Sequence, residues 1–259
     1  VGPLLIDKAN THAVGRQLFA ATAELCRTTG FALVDAGRHD LAQRYLIQAL
    51  RLARAAGDVS LGGYVLATMA LQTLIRGYPD EAIDMAQGAT QRAGAAASPR
   101  TTAFYTLIEA RAHAAAGDRR ATEHALLTCE RHLANATPED TPHGLTYMTH
   151  ERLAADAAEA YRDLRIPGKV HYWDRQAQRP TRYTRSAGLH ALTVASAHLQ
   201  AGQLDEGLHR ARHALTLLTN VTSHRCNDYL RTILNQLHRW GSDHRATEFR
   251  RDASTLLTA

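Results

Sequence analysis

The sequence predicts an all-α fold, a right-handed superhelical solenoid of about six helical hairpins. Three observations carry that expectation. Glycine returns at a near-constant interval: forty residues separate Gly37 from Gly77 and Gly77 from Gly117, and thirty-nine separate Gly202 from Gly241. Small residues stand at fixed offsets from those glycines. No stretch alternates apolar and polar residues long enough to read as a strand.

The offsets give the packing. Seven residues before each mark stand Gly30, Ala70, Ala110, Ala158 and Ala195; five after it, Ala42, Ala82, Thr122, Val170, Gly207 and Ala246; twelve after it, Ala49, Ala89, Cys129, Ala177, Ala214 and Ala253. Paired helices approach to about 8 Å only where the side chains between them are small. These positions therefore mark where a first helix meets a second.

The elements follow in order. The first hairpin, 18–57, has helices near 8–34 and 39–56 around Gly37. In its "DAGRHDLAQRYLIQALRLARAAGD" (35–58), Ala42, Tyr45, Leu46, Ala49 and Ala53 keep helical spacing. The second, 58–97, has helices near 59–76 and 79–95 around Gly77, and the 94–99 run of Gly, Ala, Ser and Pro ends it. The third, 98–137, has helices near 100–116 and 119–135 around Gly117, and the 136–142 run, with Pro138 and Pro142, ends it. The fourth, 145–182, has helices near 145–164 and 167–178; Arg165 stands where its glycine belongs, and Arg179, Pro180 and Thr181 break the chain. The fifth, 183–221, has helices near 184–201 and 204–219 around Gly202. The sixth, 222–259, has helices near 223–239 and 243–257 around Gly241. A turn glycine takes a positive φ and stops the first helix. Asp40, Asp80, Asp118 and Asp205 open the second helices, where a carboxylate caps the helix or complements its dipole. One hairpin cannot bury its own apolar face, whereas hairpins in series cover one another. The chain thus reads as one repeat domain, 1–259.

Composition bounds the function. Of 259 residues, 45% are apolar and 21% charged, a globular balance. A net charge of +5 with His neutral is too mild to argue nucleic-acid binding. Cys26, Cys129 and Cys226 lie too far apart for a metal clip or redox pair, which fits a reducing cytoplasm. No apolar run is long enough for a membrane span and no signal-peptide pattern is present. The opening Val1-Gly2-Pro3, without an initiator Met, reads as part of a longer protein.

This glycine-turn-alanine grammar resembles the tetratricopeptide repeat, with helices lengthened by roughly one and a half turns. More specifically, "FALVDAGRHDLAQRYLIQALRLARAAGD", "LGGYVLATMALQTLIRGYPDEAIDMA" and "EARAHAAAGD" resemble the C-terminal repeat domain of actinobacterial (Streptomyces-like) XRE-type helix-turn-helix transcriptional regulators. Weaker echoes run through "AAEAYRDL" and "ASAHLQAGQLDEG" to "CNDYLRTI". The resemblance implies a sensor half, in the cytoplasm, whose DNA contacts come only through a linked domain absent from this chain. It also implies a homodimer, placed by analogy at the last hairpin. One stretch departs from the family: "YMTHERLAAD" (147–156) has Thr149 and His150 where an acidic pair is expected.

The first candidate site is the concave surface, lined by first-helix residues Glu24, Arg27, Phe31, Tyr64, Gln72, Arg111, Arg152, Glu159, Ser196, Arg231 and Asn235. Arginine holds carboxylates with paired hydrogen bonds and aromatics add apolar contact at low entropic cost. That suits a peptide, an acidic small molecule or a protein segment; the alternative is a solvated face with internal ion pairs. The second is "KVHYWDRQAQRPTRYTR" (169–185), where Lys169, Arg175, Arg179, Arg182 and Arg185 interleave with Tyr172, Trp173 and Tyr183 around a lone Asp174. Such a mixture suits single-stranded nucleic acid; the alternative, which we favour, is aromatic filling of an irregular hairpin. His209 and His213 share a helix face but lack a third metal ligand, so no metal and no cofactor is expected. Glu109 and His113 form a helical pair, with His113 read as partly buried. No nucleophile elbow, phosphate loop or His-Glu-x-x-His is present. The sequence thus points to recognition rather than catalysis. A free-standing protein-interaction scaffold is the alternative, and an enzyme built on the repeat is a third reading.

Overall fold

Every regular element is a helix among the residues that the computed structural model describes, 12–140, 142–177 and 183–258. In chain order they are α1 (His12–Asp35), α2 (His39–Ala56), α3 (Val59–Ile75), α4 (Pro79–Ala93), α5 (Pro99–Ala115), α6 (Arg119–Ala134), α7 (His150–Asp163), α8 (Pro167–Asp174), α9 (Thr184–Gln200), α10 (Leu204–Leu218), α11 (His224–Gln236) and α12 (His244–Thr258). None is long and apolar enough to cross a membrane.

The chain divides into two compact units, Val1–Thr149 and His150–Ala259. In the first, α1 pairs with α2, α3 with α4 and α5 with α6; successive hairpins join through α2–α3 and α4–α5, and the first helices touch as α1–α3 and α3–α5. In the second, α7 pairs with α8, α9 with α10 and α11 with α12, and the first helices touch as α7–α9 and α9–α11. Each unit is a serial stack of helical hairpins.

The periodic small residues lie at the contacts. Ala70, Ala110, Ala158, Ala195, Ala42, Ala82, Thr122, Val170, Ala246, Ala49, Ala89, Cys129, Ala214 and Ala253 are all fully buried, and Ala177 nearly so. Gly30 shows why size matters: a Cβ there would lie 2.8 Å from Cγ of Leu46 on the partner helix, and one at Gly207 would lie 2.6 Å from Cδ2 of Leu199.

The turns obey the same rule. Gly37, Gly77, Gly117 and Gly202 adopt φ of 73°, 86°, 83° and 82°. Among the described residues, the non-glycine residue with positive φ is Arg165, at 56°, in the place where the repeat expects glycine. The next helices start on local caps: Asp118 Oδ1 accepts from the Ala121 N–H at 2.9 Å, and Asp58 Oδ1 from the Leu61 N–H at 2.8 Å. Asp40, Asp80 and Asp205 stand in the first turns of α2, α4 and α10.

Three boundaries differ from the expected ones. Helix α7 begins at His150, not 145, because Pro142–Tyr147 form a 3-10 turn in which Gly144 has φ of 70°. Helix α8 stops at Asp174, short of 178. The last turn is made without a left-handed glycine: a 3-10 turn, Leu237–Trp240, ends the first helix, and Gly241 keeps φ of −60°.

Candidate functional site

In the first unit the first helices carry their candidate residues at matched heights. Glu24 on α1, Tyr64 on α3 and Phe104 on α5 all lie thirteen residues before their turn glycines. Tyr64 is 1% exposed, and its ring meets Phe104 edge-on at 5.3 Å between centroids. Above it lies Arg27, its guanidinium carbon 4.2 Å from the Tyr64 centroid and one amino group 3.8 Å from Glu24. The Arg27 Nε is buried and makes no hydrogen bond among the described residues. Tyr147, 44% exposed, completes the group: its hydroxyl lies 3.0 Å from that of Tyr64 and its ring stands edge-on to Phe104 at 6.4 Å. Burial first, and the neighbouring Tyr147 second, push the Tyr64 phenol far above its ordinary pKa, so it remains a hydroxyl at any physiological pH.

Tyr147 is held from a distance. Arg100, at the start of α5, donates from Nε to the Asp140 carbonyl at 2.5 Å, from Nη1 to that of Met148 at 2.8 Å and from Nη2 to that of Thr137 at 2.9 Å. Its own N–H donates to Asp140 Oδ2 at 2.9 Å. These bonds fix both ends of the segment that presents Tyr147.

Three more of the expected residues lie in this unit. Gln72 is buried and donates its amide to the His39 carbonyl at 2.8 Å, which ties α3 to the start of α2. Phe31 is half-buried on α1, and Arg111 is 5% exposed on α5.

In the second unit the expected residues join a polar network. Glu159 on α7 accepts from Arg225 at 3.2 and 3.3 Å and from the Tyr229 hydroxyl, with Arg162 at 3.9 Å. The Arg162 guanidinium lies 4.6 Å from the Tyr229 centroid. Arg152 pairs with Asp156 one turn on. Buried Ser196 accepts from Gln236 Nε2 at 2.8 Å. Arg231 and Asn235 on α11 are exposed, and Arg231 pairs with Asp228 at 2.8 Å.

The segment 169–185 does not form one surface over its described part. Trp173 packs against Ala154, Ala155 and Ala177, while Tyr172 and Tyr183 are exposed. Asp174 is engaged by His190 Nε2 at 2.8 Å and Arg210 at 3.2 Å. Burial works against the Asp174 carboxylate, but the His190 bond and the charges of His190 and Arg210 hold its pKa below the ordinary value. Lys169 sits 5.9 Å from the Tyr161 ring centroid, Arg175 is exposed and Arg185 half-buried. Arg179, Pro180, Thr181 and Arg182 lie outside the described residues.

The His171 and His198 rings lie 4.2 Å apart between centroids, tilted by 37°. Burial, and then His198, lower the pKa of His171. His209 and His213 are exposed, and the described residues hold no group of three or more metal-ligating side chains. His113 lies 3.6 Å from Glu109, which accepts from Gln87 at 3.0 Å.

Residues missed by the sequence reading fall into two kinds. Phe104 occupies the same offset as Glu24 and Tyr64, so the periodicity itself points to it. Tyr147 belongs to a connection between hairpins, where the period is silent. Arg162, Arg225 and Tyr229 lie off the offsets used and become partners only through packing.

No protein-family model matches the chain, and no curated relative does. Among solved structures, a circular tandem repeat protein with novel repeat topology and enhanced subunit contact surfaces aligns with 95% of this chain and 72% of its own. It shares 12% identity at a TM-score of 0.26, a likeness too distant to bear on fold or function.

Proposed function

We propose that this chain is a recognition module of regulatory type, which takes a peptide, an acidic small molecule or a protein segment on the first-helix face of its hairpins, and performs no catalysis. The observation that supports it most is the Arg27–Tyr64–Phe104–Tyr147 group: a guanidinium, its side chain 13% exposed, over the Tyr64 ring, whose hydroxyl meets a partly exposed phenol, on an aromatic base. Arginine next to a preformed aromatic surface fits a carboxylate carried on an apolar stem. Within this reading the module acts on transcription through a linked helix-turn-helix domain, in line with the family its repeats resemble.

Native mass spectrometry of the protein isolated from its own host tests the binding. A retained mass that Arg27→Ala and Tyr147→Ala both release supports the reading. A mass retained equally by both variants, or none after gentle isolation together with no binding of acidic peptides, counts against it. Binding of a peptide by a gene product without a DNA-binding domain would instead favour a free-standing scaffold.

A further inference from the structure

The turn between α1 and α2 opens onto a cavity of about 550 Å³, within the roughly 300–1,000 Å³ that small ligands occupy. Two successive hairpins line it. Arg38 and Arg44 come from the start of α2, and Arg76 comes from the end of α3. Asp40 is the carboxylate among the lining residues, so three guanidiniums stand against one negative charge, a net +2 with His39 neutral.

These charges are not used up by the fold. Among the described residues, the side chains of Arg38, Arg44, Arg76 and Asp40 make no hydrogen bond or ion pair. Arg76 lies 5.5 Å from the ring centroid of Tyr78, which is 48% exposed. Elsewhere arginines find acceptors: Arg100 bonds three carbonyls, Arg225 holds Glu159 and Arg245 holds Asp243.

Nor does the repeat require arginine here. One residue after the turn glycine, Arg38 is replaced by Tyr78, Asp118 and Gln203 in other hairpins; seven after it, Arg44 is replaced by Asp84, His124 and His209. One residue before it, Arg76 stands where Ala36, Ala116 and Ala201 stand elsewhere. Three different offsets, each served by other residue types in the remaining hairpins, thus deliver like charge to one concavity. Such a gathering repels itself and draws in an anion. The backbone beneath is fixed: the Arg38 N–H donates to the Leu33 carbonyl at 2.8 Å, and the Gln72 amide holds the His39 carbonyl at 2.8 Å.

We propose that this cavity binds a phosphoryl group, free or carried by a small molecule. A phosphoryl dianion matches the net charge, and its three terminal oxygens can accept from guanidiniums arriving from two hairpins, whereas a carboxylate is served by one bidentate arginine. The cavity is larger than the group itself and leaves room for a carrier, with the Tyr78 ring beside Arg76 as an apolar surface. The positive end of the α2 dipole adds to the attraction without carrying it. The occupant would bridge the first two hairpins at their turns, and the site stands independently of the Arg27–Tyr64–Phe104–Tyr147 group.

Calorimetric titration at about pH 7.5, where a phosphate monoester is mainly a dianion, reads this with AMP and inorganic phosphate, chloride holding the ionic strength constant. The expected result is saturable one-site binding that Arg44→Gln and Arg76→Gln each weaken at least tenfold. Arg51→Gln, which removes an exposed charge from the same helix outside the cavity, should leave it alone. Circular dichroism confirms that all three variants remain folded. AMP binding more tightly than phosphate shows a carried group; equal affinities show the free ion. Affinity unmoved by Arg44→Gln and Arg76→Gln, or lowered as much by Arg51→Gln, overturns the proposal. So does adenosine binding as well as AMP, or no saturable binding of either anion up to about 10 mM.

Discussion

The guanidinium of Arg27 lies 4.2 Å from the ring centroid of Tyr64, whose hydroxyl meets that of Tyr147 at 3.0 Å. A charge, a buried ring and a partly exposed phenol thus form one connected unit. A cation on a partly desolvated ring contributes about 0.5–2 kcal/mol. Arg27→Ala should lower stability by about 1 kcal/mol and abolish ligand retention. Denaturant titration beside native mass spectrometry separates the two effects, and a variant that loses stability but keeps its ligand would remove Arg27 from the site.

The hydroxyl pair makes its own prediction. Tyr64→Phe and Tyr147→Phe should each cost about 1 kcal/mol, with the double variant costing little more than either single one. Fully additive losses in a double-mutant cycle would show that the two phenols do not interact.

Arg165 holds the backbone conformation that glycine holds at the other turns, with φ of 56°. Arg165→Gly should therefore stabilise the protein by about 0.5–1 kcal/mol. Gly77→Ala and Gly117→Ala, at φ of 86° and 83°, should destabilise it by about 1 kcal/mol or more. Thermal melts of the three variants check the opposite signs.

At Ala89, fully buried between hairpin helices, Leu should force the pair apart and cost about 1–3 kcal/mol. Ala55→Leu, at an exposed site on α2, should be near neutral. Equal unfolding midpoints would break the link between small residues and helix approach.

Stability should also fall on mild acidification. Burial lowers the pKa of His171 and of His132 from 6.5 in the folded state. The unfolded chain then binds protons first, so this part of the stability is complete above about pH 6.5 and declines as pH drops below it. Asp174, whose folded pKa is lowered from 3.8, adds a second loss only below about pH 4. Replacing both His171 and His132 with Gln should flatten the melting temperature between pH 7 and 5. An unchanged slope would contradict the assignment.

Much of the fold was legible because it is written periodically. The sites of helix contact need small residues, the turns need a positive φ, and both demands recur every forty residues or so. Even Arg165, which breaks the glycine rule, keeps the glycine conformation. Legibility failed where the period stopped. The 3-10 turn at Pro142–Tyr147 is held by Arg100, and no local signal connects an arginine to carbonyls some forty positions away. The candidate site divides the same way. Tyr64 and Arg27 could be placed by offset, whereas Tyr147 could not. Gln72 and Ser196 were read as lining residues because offset gives a side chain's height and direction, not the hydrogen bonds that already engage it.

Arg100 grips carbonyl oxygens, and every amino acid carries one. Outward-facing side chains of this segment, such as Glu139 and Thr146, are therefore free to drift over evolutionary time while the path of the chain stays the same, as long as position 100 keeps its fork of donors, position 140 its carboxylate and position 144 its glycine. The perch of Tyr147 thus depends on a residue far from it in the chain, and losing that one arginine would undo what changes at Glu139 or Thr146 would leave standing.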